Sequence, residues 1–254
     1  MSAWSTRLVD KVVLVTGATG GIGADIVRRL AEEGARVVAT DLDQEACRRL
    51  VDTTEDPHRH LALRLDVSSE QEWTEVVTAV EHELGGLQGL VNNAALGSIA
   101  TLVDEDREQW DRVIDVDQTG TWLGMKHAGS LVARSGGGSV VNMCSILGTV
   151  GGFGNSFAYH AAKGAVRTMT KNAALHWATS GVRVNSLHPG FIGTAPLLER
   201  WEGSERHAAM LDKTPMGRLG EGREVAAVVA FLVSDDSSFM TGSEMYVDGG
   251  WTSA

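Results

Sequence analysis

The sequence predicts an α/β fold, a doubly wound parallel sheet of about seven strands with helices on both faces, in one domain spanning residues 1–254. Two observations predict it. Short β-branched runs at 12–16, 36–40, 61–65, 87–91, 139–143, 182–187 and 245–247 alternate with stretches of helical periodicity, among them 106–133, 157–179 and 223–233. That alternation is the rhythm of βαβ units. Alanine, glycine and valine run through the whole chain, and no Pro/Ser-rich stretch, single-sign stretch or internal repeat divides it.

The elements follow in order. The run at 12–16 leads into a helix reaching Leu30, and Gly34 stands where that helix should stop, one residue before the next strand pattern. The second strand ends in Asp41. After the third, Asp66-Val67 precedes Ser68-Ser69-Glu70, an ordinary helix start. The fourth delivers Asn92-Asn93-Ala94-Ala95. In sheets of this kind ligands bind beyond the carboxyl ends of the strands, so the chemistry is expected in the loops that follow them.

Composition removes several classes of function. Lys and Arg number 22 against 33 Asp and Glu, a formal net charge of -11, which repels a nucleic-acid backbone. The segment 1–11 has no apolar centre that could serve as a signal peptide, and no apolar run approaches a membrane span. With only Cys47 and Cys144 there is no disulfide framework and no four-thiolate zinc site, which fits a reducing, cytoplasmic setting. The eight histidines are scattered, and the pair His58 and His60 has no second ligand pair beside it, so no metal site is expected.

After the first strand comes Thr16-Gly17-Ala18-Thr19-Gly20-Gly21-Ile22-Gly23, leading directly into a helix. Glycines let a backbone approach a pyrophosphate, and the helix N-terminus offers unpaired N–H groups and partial positive charge. The bland alternative is a tight turn that uses glycine for packing. Asp41, eighteen residues past Gly23, decides between them. A carboxylate there accepts hydrogen bonds from both hydroxyls of an adenine ribose and repels a 2′-phosphate. Leu42 and Asp43 follow it, with no Arg or Lys, so NAD is expected rather than NADP. An N-cap for the helix starting near residue 43 is the competing role.

Tyr159 and Lys163 lie four apart in the helical stretch 157–179, so both project from one face. A free phenol titrates near 10, and ionisation near neutral pH needs roughly 4 kcal/mol of preferential phenolate stabilisation. A neighbouring ammonium acts in that direction. Most Tyr/Lys pairs at this spacing only pack.

From about Leu8 onward the chain resembles the short-chain dehydrogenase/reductase family, a Rossmann-type fold. The family's nucleotide motif falls on Thr16, Gly17, Gly21 and Gly23, its adenine-side aspartate on Asp66, and its structural Asn-Asn-Ala on Asn92, Asn93 and Ala94. Its catalytic serine, tyrosine and lysine fall on Ser145, Tyr159 and Lys163, and its Pro-Gly loop on Pro189, Gly190 and Thr194. The resemblance implies that Ser145 polarises the substrate oxygen, that Lys163 binds the nicotinamide ribose while tuning Tyr159, and that Thr194 holds the carboxamide. Thr19, Ile22, Leu42, Val67 and Ile192 complete the expected NAD contacts. Ala95 replaces the family's glycine after Asn-Asn-Ala. Asp117 stands where the family carries a catalytic asparagine, whose main-chain carbonyl holds a water connected to the lysine. The carbonyl survives this substitution and the side-chain amide does not.

Leu96, Ile146, Leu147, Phe153, Phe157, Leu197, Leu198 and Trp201 suggest an apolar substrate pocket, with Leu96, Leu147, Phe153, Leu197 and Trp201 beside Ser145 and Tyr159. Segment 195–214 shows few anchors and is expected to form a mobile lid. The ending Asp248-Gly249-Gly250-Trp251 resembles family members, many of them homotetramers, that act on hydroxysteroids and cyclic alcohols. The expected activity is NAD-dependent interconversion of a hydrophobic secondary alcohol and its ketone. Two rivals stand beside it. An NADPH-using ketoacyl reductase is opposed by Asp41 and Gly20, and a non-catalytic NAD sensor is favoured by Asp117 alone.

Overall fold

The computed structural model describes residues 6–254, so residues 1–5 of the segment read as lacking a signal peptide lie outside the described residues. The elements run β1 (Val12–Thr16), α1 (Gly21–Glu32), β2 (Arg36–Asp41), α2 (Gln44–Val51), β3 (Leu61–Arg64), α3 (Glu70–Leu84), β4 (Gly89–Asn92), α4 (Arg107–Val113), α5 (Gly120–Gly124) and α6 (Ser130–Arg134). They continue with β5 (Gly138–Met143), α7 (Phe157–Trp177), β6 (Val182–Pro189), α8 (Ala195–Trp201), α9 (Glu205–Asp212), α10 (Gly222–Val233) and β7 (Glu244–Val247).

All seven strands form one sheet in the order β3-β2-β1-β4-β5-β6-β7, and every pairing is parallel. Strand order reverses between β1 and β4, and that crevice is where open α/β sheets bind ligands. The pleat sorts each buried run between two cores. Val13 and Val15 of β1 join Val37 and Ala39 of β2 against α1 and α10, while Val12, Leu14 and Val38 face α3 and Ala174 of α7 on the other side. Both faces are therefore covered, as the alternation of elements predicts.

Helix ends obey local chemistry. Gly34 follows α1 with φ of 95°, Ser69 caps α3 by accepting from the Glu72 N–H, and Glu221 and Glu224 close a capping box on α10. Several strand boundaries shift by one or two residues from the sequence expectation. Leu65 and Leu87 are buried but lie outside the strands, because apolar burial continues past the hydrogen-bonded ladder. The stretch 107–134 is helical almost as expected, but wide π turns at Ile114–Thr119 and Met125–Gly129 interrupt it. Wide turns of this kind concentrate at functional sites, and the first contains Asp117. Segment 195–214 is better anchored than its sequence suggests, since Met210 and Thr214 are buried at its far end.

Candidate active site

The glycine loop is built by close approach. Gly17 has φ of 60°, and a Cβ there would stand 2.8 Å from the Ala94 Cα. A Cβ on Gly21 would meet the Thr194 side chain at 2.7 Å, and one on Gly23 would meet the Gly17 carbonyl at 2.1 Å. Thr16 and Asn93 hold this loop from behind. Thr16 Oγ1 accepts from the N–H groups of Asn93 and Ala94 at 2.9 and 3.0 Å, while Asn93 Nδ2 donates to the carbonyls of Thr16 and Gly17. The α1 N-terminus has no side-chain cap and no acid in its first turn, so its N–H groups stay available to an anion.

A groove of about 720 Å³ opens over this loop. Of the residues expected to hold NAD, Gly17, Thr19, Gly21, Ile22 and Gly23 line it together with Asp41, Leu42, Asp66 and Val67, and Asn93, Ala94 and Thr194 close it. Thr16, Tyr159, Lys163, Pro189, Gly190 and Ile192 do not line it. Thr16 and Ile192 are buried, and Gly190 packs so tightly on Asp248 that a Cβ would come within 2.8 Å of its Cα. Sequence reasoning missed Ser68, Arg112, Asp115 and Val116 in the wall, because only folding brings the first π turn against the end of β3.

Asp41 Oδ2 accepts from the Thr19 N–H at 3.0 Å and the Thr19 hydroxyl at 2.6 Å, and Oδ1 accepts from the Leu42 N–H at 2.8 Å. A carboxylate has about four acceptor positions, so capacity remains for a ribose hydroxyl. The N-cap role belongs to Asp43, which accepts from the Ala46 N–H. Arg112 is the one Lys or Arg among the lining residues, against Asp41, Asp66 and Asp115.

At the other end, Ser145 follows β5 and caps a short 3₁₀ turn through the Leu147 N–H. Its side chain is a hydrogen-bond partner of Tyr159. Lys163 and Asp117 are both buried. Lys163 Nζ donates to the Met143 carbonyl at 3.0 Å and lies 5.4 Å from the Tyr159 ring centre. It stands 3.3 Å from Asp117 Oδ2, an ion contact without hydrogen-bond geometry. Asp117 Oδ1 accepts from the Leu96 N–H at 2.7 Å, and its main-chain carbonyl accepts from the Thr121 hydroxyl. Besides the main-chain carbonyl that the family resemblance connects to the lysine, the Asp117 side chain makes direct charge contact with Lys163.

The charges settle accordingly. Burial raises the Asp117 carboxyl above its usual range, opposed by Lys163 and the Leu96 N–H. Burial works against the Lys163 ammonium, but Asp117 and Tyr159 outweigh it and its pKa lies above an ordinary lysine. Lys163 acts on Tyr159 in the expected direction but is outweighed. Burial raises the Tyr159 pKa, Lys163 pulls it down, and Asp117 adds to the rise, so the protein's own groups favour the neutral phenol.

His188 is a further site residue that the sequence did not single out. It is completely buried, with Nδ1 3.0 Å from the Ser145 carbonyl and Nε2 2.9 Å from the Ser186 hydroxyl. Burial lowers its pKa, and the neutral tautomer that satisfies both contacts donates from Nδ1 and accepts at Nε2. Its signal was slight, a polar ring immediately before Pro189-Gly190.

The expected substrate residues separate. Leu96 packs with Tyr159, Trp110 and Ile114. The Leu147 side chain lies over Gly152, and Phe153 stacks on Phe191 at 5.6 Å. Trp201 meets Arg200 and Arg206, while Leu197 and Leu198 are half-buried on α8. Ile146 belongs to the buried core, and Phe157 lies tilted against Trp110 at 5.9 Å with 41% of its surface exposed. Neither joins the ring cluster around Phe153.

A family model described as Enoyl-(Acyl carrier protein) reductase matches residues 17–252. The cyclopentanol dehydrogenase of Comamonas sp. is 38% identical over 97% of this chain and 98% of its own length. The chain is a short-chain dehydrogenase/reductase. Other relatives of this dehydrogenase/reductase include a 3-alpha-(or 20-beta)-hydroxysteroid dehydrogenase of Mycobacterium bovis, 39% identical over 97% of this chain and 91% of the relative. An NADP-dependent (R)-specific alcohol dehydrogenase of Lentilactobacillus kefiri is 40% identical over 97% and 98%. A solved structure of gox2181 superposes with a TM-score of 0.95 at 31% identity, covering all of both chains. Short-chain dehydrogenase/reductases are oxidoreductases that use nicotinamide cofactors. The uncapped α1 N-terminus and the crowded glycines fit the pyrophosphate of such a group.

Proposed function

We propose that this dehydrogenase/reductase is NAD-dependent and interconverts a hydrophobic cyclic secondary alcohol and its ketone, with Tyr159 as general acid/base. The observation that carries the reading is the constellation of Ser145 after β5, half-buried Tyr159 and buried Lys163 on α7, and buried Asp117 in the first π turn. The bound nicotinamide supplies hydride acceptance and a positive ring charge. Ser145 Oγ holds the substrate oxygen, Tyr159 Oη takes its proton, and Lys163 Nζ, fixed on the Met143 carbonyl and Asp117, stabilises the phenolate. His188 fixes the main chain of Ser145.

NAD is favoured over NADP because Asp41 stands at the end of β2 with carboxylates outnumbering cations along the groove. The names of the cyclopentanol and hydroxysteroid relatives support a cyclic secondary alcohol, and the aromatic residues Phe153, Phe191 and Trp201 supply an apolar cover. Trp122, Phe157 and Leu175, exposed on α5 and α7, support the expected homotetramer. Among the described residues no helix is long and apolar enough to cross a membrane, in keeping with a cytoplasmic enzyme.

Cofactor reduction by the purified protein tests this reading, with cyclopentanol, cyclohexanol, hydroxysteroids and aryl secondary alcohols at mildly alkaline pH. Turnover with NAD at least about tenfold above NADP is expected, ~1.4 kcal/mol of discrimination. Preference for NADP would overturn the cofactor assignment. Tight NADH binding without turnover of any alcohol would favour the second reading, a non-catalytic NAD sensor, for which Asp117 against Lys163 is the specific observation.

A further inference from the structure

The cover of the site carries an unusual arrangement of charge. Two rings hold three cations: the Arg206 guanidinium lies 5.2 Å from the Phe153 centre and 5.1 Å from the Trp201 centre, Lys213 lies 4.8 Å from Phe153, and Arg200 lies 5.2 Å from Trp201. No carboxylate pairs with any of the three among the described residues, although the chain carries 33 acidic side chains against 22 basic ones. Arg206 is half-buried. Its Nη2 donates to Asn155 Oδ1 at a long 3.4 Å, and its Nε–H is closed off from solvent with no acceptor. Burial, and then Arg200 beside it, lowers its pKa, as expected for a cation without an anionic neighbour. An arginine remains charged even so.

The location matters as much as the charge. Phe153 and Asn155 precede Tyr159 by six and four residues, and Phe153 stacks on Phe191, the residue after Pro189-Gly190. Arg206 therefore stands where the segment entering α7, which carries Tyr159, meets the segment leaving β6, which follows Pro189-Gly190. Contact with two rings and with Asn155 restrains the guanidinium. A guanidinium can receive a carboxylate through two parallel hydrogen bonds, a fit that an ammonium cannot reproduce.

We propose that Arg206 is the receptor for an anionic group on the substrate, so that the alcohol oxidised here carries a carboxylate on the part of the ring remote from its hydroxyl. Arg200 and Lys213 add to the local positive field, and Phe153 and Trp201 position the guanidinium. The inference rests on the alcohol dehydrogenase reading for the identity of the anion's carrier, while the anion site itself can be measured without turnover.

The experiment titrates the NADH-loaded protein with cyclohexanecarboxylate and with its neutral counterpart cyclohexanecarboxamide, following NADH fluorescence. The wild type is expected to bind the carboxylate at least about tenfold more tightly than the amide, in the range of charged hydrogen bonds. Arg206→Gln should abolish that preference and leave NADH affinity unchanged, and Arg206→Lys should keep part of it. Equal affinity for the two ligands in the wild type, no measurable binding of either, or a preference that survives Arg206→Gln overturns the proposal. Equal weakening of both ligands by Arg206→Gln and Arg206→Lys, with the preference intact, makes the arginine a packing element only and likewise overturns it. Cyclohexanol oxidation by NAD is measured alongside. Its failure would count against the alcohol dehydrogenase reading while the ligand preference stands on its own result.

Discussion

Asp41 and Asp117 are the same side chain used in opposite ways at the two ends of the site. Asp41 is partly exposed and accepts from three donors, two on Thr19 and one on Leu42, so it is a fixed acceptor ready for a polar ligand. Asp117 is completely buried, accepts from one N–H and lies against one ammonium, so its charge depends on Lys163 and in turn acts on Tyr159. Burial and donor count, rather than residue type, decide whether a carboxylate recognises a ligand or adjusts a neighbour.

The comparison breaks most visibly if Asp117 loses its partner. Lys163→Met leaves a buried carboxylate uncompensated, and chemical denaturation should show a loss of about 3–5 kcal/mol. The double change Lys163→Met with Asp117→Asn should recover most of that loss. Asp41→Ser, by contrast, should leave stability within about 1 kcal/mol and act on the cofactor, raising the NADP to NAD ratio of kcat/KM by about tenfold, ~1.4 kcal/mol. An unchanged ratio would remove Asp41 from recognition.

Asp117→Asn sharpens the comparison with a smaller effect. Turnover should stay within about tenfold of wild type, ~1.4 kcal/mol, because Leu96 keeps an acceptor and Lys163 keeps Met143. The pH profile should move in one direction. Asp117 adds to the rise of the Tyr159 pKa, so removing its negative charge favours the phenolate and brings the rising limb of alcohol oxidation to lower pH. A limb that stays fixed or moves to higher pH would contradict the charge coupling.

The cofactor end was legible because its chemistry lies in short consecutive runs. Gly17 to Gly23 and Asp41 are placed by adjacent elements of one βαβ unit, and spacing alone carried them into one groove. The parallel sheet followed from the same alternation. Tyr159 and Lys163 were readable from helical spacing together with the family resemblance. What escaped depended on contacts across the sheet or on backbone irregularity. His188 reaches Ser145 from β6, Arg112 and Val116 reach the groove from around a π turn, and the Arg206–Phe153–Trp201 stack joins three separate segments. The direction of the Tyr159 shift was also out of reach, since it turns on burial and on the 3.3 Å approach of Asp117 to Lys163.

The most direct test of the account is Tyr159→Phe, which removes the proposed proton acceptor and little else. Alcohol oxidation by NAD should fall by about 10²- to 10⁴-fold, while NADH binding followed by fluorescence stays within about twofold, under ~0.5 kcal/mol. Turnover close to wild type in the phenylalanine variant, with binding intact, would contradict the assignment of Tyr159 and require another acid/base for the reaction.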